Sequence, residues 1–188
     1  MAVYMGLDDF LGRLVAGLDA AGVPYMVAGS VACALHGEPR STQVVDIVVD
    51  LDAESLRRLL QELPEEHYYV SHDAAREALR RRSQFNVIDM ATGWKADLIV
   101  LKRRAFSQTE FSRRRPATLL GVEVQVVSAE DVVLTKLEWA QKSGGSERQL
   151  RDVRGVLQAP GQRLDETYLQ AWAERLEVVD LLDKARGP

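Results

Sequence analysis

The chain has 188 residues, 46% apolar and 28% charged, with a formal net charge of −4. That length suits one domain, and the composition excludes a chain too polar to bury a core. No apolar run approaches the roughly 20 residues of a membrane span, and "MAVYMGLDDFLGRL" lacks the basic-then-apolar pattern of a secretory leader.

Leu7, Phe10, Leu11, Leu14, Val15 and Leu18 recur at helical spacing and predict a helix over 7–21, ended by Gly22 ahead of Pro24. "YMVAG" (25–29) reads as a short buried strand. Ser30 then reads as the N-cap of a short helix that Gly37 stops, with Pro39 beyond. The single cysteine, Cys33, lies in a small-residue run of this helix. It excludes a disulfide framework and a cysteine-rich zinc site, and a reducing cytoplasm is the expected setting. Residues 43–51 read as a strand, 53–63 as a helix ended by Pro64, and 73–82 as another helix.

"QFNVIDMATGWKADLIVL" (84–101) reads as two strands around a Thr-Gly turn, and "ATLLGVEVQVVS" (117–128) as a second pair or one bent strand. From Ser128 the pattern is helical: 129–142, 146–158, and 165–184 with a break. "SGGS" (143–146) joins the first two, and Trp139 and Trp172 fall on apolar helix faces and are expected in the core. The expected architecture is an α/β (α+β) fold with a mixed central sheet flanked by helices. A core over 1–128 would be followed by a C-terminal helical subdomain over 129–188.

Charge is unevenly placed. Residues 76–115 hold eleven Lys or Arg against four acids, a local balance of +7 that leaves −11 on the remainder. Either solvated helix faces and strand-edge gatekeepers account for it, or a basic wall faces phosphates or a nucleic acid.

The chemistry concentrates in "VAGSVACALHGEPRSTQVVDIVV" (27–49). Gly29 allows close approach to the backbone, and the first helix amides with the Ser30 hydroxyl make an anion site. Arg40 follows the helix. On the next strand Val44, Asp46, Val48 and Asp50 share one face. Asp46 and Asp50 are roughly 13 Å apart at about 3.3 Å per residue, whereas paired catalytic ions lie only about 3.5–4 Å apart. Asp50 therefore marks the solvent end of the strand, and a co-ligand of Asp46 belongs at position 44. In "WKADLIV", Asp97 points with Lys95 away from the apolar face, toward a metal or an arginine. His36, His67 and His72 lack metal-ligand spacing, although His36 is placed to line a pocket beside Gly37. There is no complete phosphate-loop or Ser–His–Asp pattern.

Gly29-Ser30, Gly37, Arg40, Thr42 and Asp46, with Asp97 about fifty residues later, resemble the nucleotidyltransferase superfamily. "HGEPRST" resembles its small bacterial members, including AbiEii-type toxin nucleotidyltransferases. "SAEDVVLTKLEWA" and "RQLRDVRGVL" resemble their C-terminal region, where Lys136 and the Arg151-Asp152 pair would approach the nucleotide.

The resemblance implies transfer of a nucleoside monophosphate from an NTP to a hydroxyl of RNA, protein or a small molecule, assisted by two Mg²⁺ (or Mn²⁺) ions. Asp46 would bridge the ions. Asp97 would serve the ion nearer the nucleophile and act as its base. Ser30 and the helix amides would hold the triphosphate, with Arg40 or Lys136 adding charge. It also raises a toxin–antitoxin role.

The departure is Val44, which stands where the family has the first acid of an acid–x–acid pair and offers a metal no lone pair. Three readings follow. The protein is a degenerate module binding nucleotide, RNA or a partner protein, or an enzyme with substitute ligands such as Asp50, Asp89 or Glu38, or an enzyme carrying an inactivating change.

Overall fold

The computed structural model describes residues 6–37, 44–161 and 163–187. Helix α1 (Leu7–Ala20) opens it and buries the periodic face Leu7, Phe10, Leu11, Leu14 and Leu18. Strand β1 (Tyr25–Ala28) runs directly into α2 (Gly29–His36), and β2 (Val44–Val49) leads to α3 (Ala53–Glu62). Asp52 caps α3 through a reciprocal pair of bonds with Ser55. The short β3 (Tyr68–Tyr69), α4 (His72–Arg81), and the antiparallel β4 (Gln84–Asp89) and β5 (Lys95–Val100) follow. After α5 (Ala105–Ser112) comes the antiparallel pair β6 (Arg115–Leu119) and β7 (Val122–Val126), so the second stretch is a hairpin. Four helices end the chain: α6 (Ala129–Lys142), α7 (Glu147–Leu157), α8 (Glu166–Arg175) and α9 (Val179–Arg186).

The seven strands form one sheet in the order β3-β4-β5-β2-β1-β7-β6. It is mixed, as expected: β2 runs parallel to β5 and β1 to β7, while the other neighbours are antiparallel. Along β2 and β5 every second residue is fully buried: Val45, Ile47 and Val49 on one, Ala96, Leu98 and Val100 on the other. The intervening residues, including Asp46 and Asp97, are half-buried on the opposite face. Helix α3 packs on α1 and on α4, while α2 packs on β1 and β2 and is backed by α6 and α7.

The α2–α7 contact is backbone against backbone. A Cβ added to Gly37 would lie 2.9 Å from the Gly155 carbonyl carbon, closer than side chains pack. His36 fastens the same end of α2, its Nε2 lying 2.8 Å from the Val127 carbonyl oxygen.

Several expectations need correction. Ser30 is not the N-cap of α2: Ala28 holds that position without a side-chain bond, because the helix starts at Gly29. Trp139 is 59% exposed, the outward-pointing residue of a turn in which Leu137, Glu138 and Ala140 are buried, whereas Trp172 is buried against Phe106. Strand β3 and helix α5 were not anticipated.

Most of the basic residues between 76 and 115 have partners. Arg76 pairs with Asp73, Arg80 and Arg81 with Glu77, Lys95 with Asp97, Arg104 with Glu138, and Arg113 with Glu130 and Asp131. Lys102, Arg103 and Arg115 are exposed. Asp73, Glu130, Asp131 and Glu138, acids outside that stretch, answer part of its excess charge.

Candidate active site

Asp46 on β2 and Asp97 on β5 are register partners on adjacent parallel strands, so their carboxylates rise side by side from one face, about 5 Å apart at the backbone. Alternation along each strand predicts the face, and the parallel register brings the two together. The same register sets Val44 beside Lys95 and Val48 beside Ile99. Lys95 Nζ lies 3.2 Å from Asp97 Oδ1.

The antiparallel neighbour β4 supplies two more groups that the sequence did not flag. Asn86 Nδ2 donates to Asp97 Oδ1 at 2.6 Å, and Gln84 Nε2 donates to Oδ2 at 3.2 Å. Asp97 is thus held by two amides and an ammonium. Polar residues alternating with buried Phe85 and Val87 on β4 were the signal that an acid on the next strand would be answered.

Asp46 sits against the start of α2. Gly29 has φ +62, and a Cβ there would fall 1.9 Å from Asp46 Oδ2, so only glycine fits. The Ser30 backbone N–H donates to the Asp46 carboxylate. The helix amide expected to hold phosphate therefore holds the aspartate in this structure. Burial, and then the neighbouring Asp97, push the Asp46 carboxyl above its ordinary value, opposed by the Ser30 amide, Lys136 and Lys95.

Lys136 on α6 reaches this region from the helical tail and is 8% exposed. Its Nζ donates to Asp152 Oδ2 on α7 at 2.7 Å. The structure thus joins Gly29, Ser30, Asp46, Asp97, Lys136 and Asp152 into one charged cluster. Arg151 is exposed on α7 and makes none of these contacts. Arg40 and Thr42 lie outside the described residues, as does Glu38.

Of the substitute ligands considered for Val44, Asp89 lies on the buried face of β4, tied to Arg13 at 3.0 Å and to Thr92. Asp50 is exposed beyond the end of β2. Neither reaches Asp46 and Asp97. No group of three or more His, Cys, Asp or Glu suited to a metal ion occurs among the described residues. A divalent ion at Asp46 and Asp97 would draw its other oxygens from a ligand or water.

No protein-family model matches the sequence, and no curated protein matches it. Solved structures do match the fold. The antibiotic-resistance factor ANT(2'')-Ia superposes with a TM-score of 0.62 at 12% identity, over 92% of each chain. An antigenic nucleotidyltransferase-like protein from Paracoccidioides brasiliensis gives 0.55 at 19% identity, over 95% of this chain and 91% of the other. The lincosamide antibiotic adenylyltransferase LnuA, solved with lincomycin bound, gives 0.53 at 14% identity, over 80% of this chain and 95% of the other. Identities this low establish shape rather than activity. A seven-stranded mixed sheet with helices on both sides and a helical tail, matched over nearly the whole length of these structures, gives this chain the nucleotidyltransferase fold.

Proposed function

We propose that this protein transfers a nucleoside monophosphate from an NTP to a hydroxyl of a small-molecule acceptor. The observation that carries the reading is the pairing of Asp46 and Asp97 in register on β2 and β5, directly beside the start of α2. The acceptor class is supported by two structures of the same fold: one ANT(2'')-Ia structure holds adenylyl-2''-tobramycin and the LnuA structure holds lincomycin.

In the step, the acceptor oxygen attacks the α-phosphorus. The new O–P bond forms as the bond to the bridging α,β-oxygen breaks, pyrophosphate departs with that electron pair, and the hydroxyl proton passes to a carboxylate. Asp97, fixed by Asn86 and Gln84, is the acceptor of that proton. Asp46, fixed by the Ser30 amide, faces the triphosphate, and Lys136 offsets phosphate charge. Mg²⁺ or Mn²⁺, held by Asp46 and Asp97 when bound, would neutralise the phosphates and acidify the attacking hydroxyl.

Each α-labelled NTP is incubated with the protein, Mg²⁺ or Mn²⁺, and a panel of polyhydroxylated small molecules, with RNA and proteins in parallel. Label on a small molecule, abolished in Asp46→Asn and Asp97→Asn, is the expected result. Label on RNA or protein alone would move the acceptor class. Nucleotide binding without transfer to any acceptor would make the protein a binding module.

A further inference from the structure

Two divalent ions about 3.5–4 Å apart need a bridging carboxylate and further anionic ligands around it. The described residues do not supply that set. On this face of β2 and β5 there are two carboxylates, Asp46 and Asp97, with Val44 and Lys95 abreast in the neighbouring register position. Asp97 is already engaged on both oxygens, by Asn86 and Lys95 on one and Gln84 on the other. Most of its lone-pair capacity is therefore used before any metal arrives.

A positive charge already stands where another ion would need room. The Lys95 ammonium is 3.2 Å from Asp97 Oδ1, its strand position is level with Val44, and its side chain is 36% exposed toward the open face. The charge arithmetic agrees with a substitution of lysine for metal. Two carboxylates, one ammonium and one divalent ion sum to +1, the same as three carboxylates and two divalent ions. An acid at position 44 would have called for the second ion, and a valine there with a lysine alongside does not. Val44 adds no third carboxylate to Asp46 and Asp97 beside Lys95, so the ammonium keeps donors for a phosphate oxygen.

We propose that Lys95 takes the place of one metal ion, so that the site binds its nucleotide with a single divalent ion and a lysine contact to the phosphates. This rests on the transferase reading above and deepens it. The ion sits at Asp46, the remaining lone-pair capacity of Asp97 and the phosphates. Lys95, anchored on Asp97, is a positioning residue for the phosphate chain, and Val44 is the apolar neighbour that makes the arrangement electrostatically consistent.

Mn²⁺ bound per chain is counted by electron paramagnetic resonance, and nucleotide affinity measured by calorimetry, with the α,β-methylene analogues of the four NTPs. The proteins are the wild type, Lys95→Met, Lys95→Arg and the double variant Val44→Asp/Lys95→Met, each checked for folding by thermal melting. Wild type is expected to take one Mn²⁺ with its nucleotide. Lys95→Met should weaken nucleotide binding by about tenfold, the loss of one charge-assisted contact, and Lys95→Arg should recover most of it. The double variant should take two Mn²⁺. Two ions on the wild type, or unchanged nucleotide affinity in Lys95→Met, overturns the proposal and leaves the transferase reading standing. Failure of every analogue to bind wild type removes both.

Discussion

Gly29 decides how close the Asp46 carboxylate comes to the helix that follows β1. Alanine there would drive a methyl into Oδ2 at 1.9 Å and force an L side chain to hold φ +62. Gly29→Ala is expected to cost about 1–3 kcal/mol of stability from backbone strain alone. It should also abolish nucleotide binding, because Asp46 must leave the Ser30 amide. Denaturant melts read the first effect and calorimetry the second, and a variant that melts and binds like wild type contradicts this account. The Gly-Ser turn and the two aspartates were legible in the sequence, since a period-2 pattern marks an acid on an otherwise apolar strand. The residues that dress Asp97 were not. Asn86 and Gln84 reach it only through the β4–β5 register, and Lys95 meets Val44 only through the β2–β5 register.

At the scale of elements, α5 carries the buried Glu110, whose carboxylate accepts a bond from Thr135 on α6. Around it, Arg104 grips Glu138, Arg113 bridges Glu130 and Asp131, and Tyr168 on α8 donates to Asp131 at 2.5 Å. Burial pushes the Glu110 carboxyl up to about 7, reinforced by Asp131 and Glu138 and opposed by Thr135 and Arg104. The unfolded carboxyl titrates at its ordinary 4.5, so between that pH and about 7 the folded state holds more protons. The stabilising contribution is complete below 4.5 and is lost as pH rises through 7. Glu110→Gln should therefore gain on wild type between pH 5 and pH 8, by up to roughly 3 kcal/mol. Urea midpoints across that range provide the measurement, and parallel curves would contradict the prediction. The sequence hid α5 because its buried aromatics, Phe106 and Phe111, lie five apart, off the helical spacing, and arginines flank it on both sides. The longer helices were legible because their apolar residues keep the period along three turns or more.

For the whole molecule, the buried apolar residues from Leu7 to Ala185 form one cluster that crosses the boundary at 128/129. Leu150, Val153, Leu169 and Leu182 of the tail are fully buried in it. Residues 1–128 alone are expected not to fold, because α2 would lose α6 and α7 and the sheet face beneath it would meet water. Circular dichroism and thermal melting of that fragment provide the check, and a cooperative transition would show the core to be independent. The alternation of strands and helices was legible in the sequence. The strand order was not, since nothing local places β2 between β1 and β5.

The glycine contact between Gly37 and Gly155 gives that dependence a kinetic meaning. With no side chain between the two backbones, α2 and α7 are expected to open to solvent together, with matching hydrogen-exchange protection of their amides. The amide that holds Asp46 belongs to that unit. Protection of the Ser30 amide, and with it the readiness of the carboxylate pair, is therefore expected to fall when a helix more than a hundred residues further along the chain is loosened.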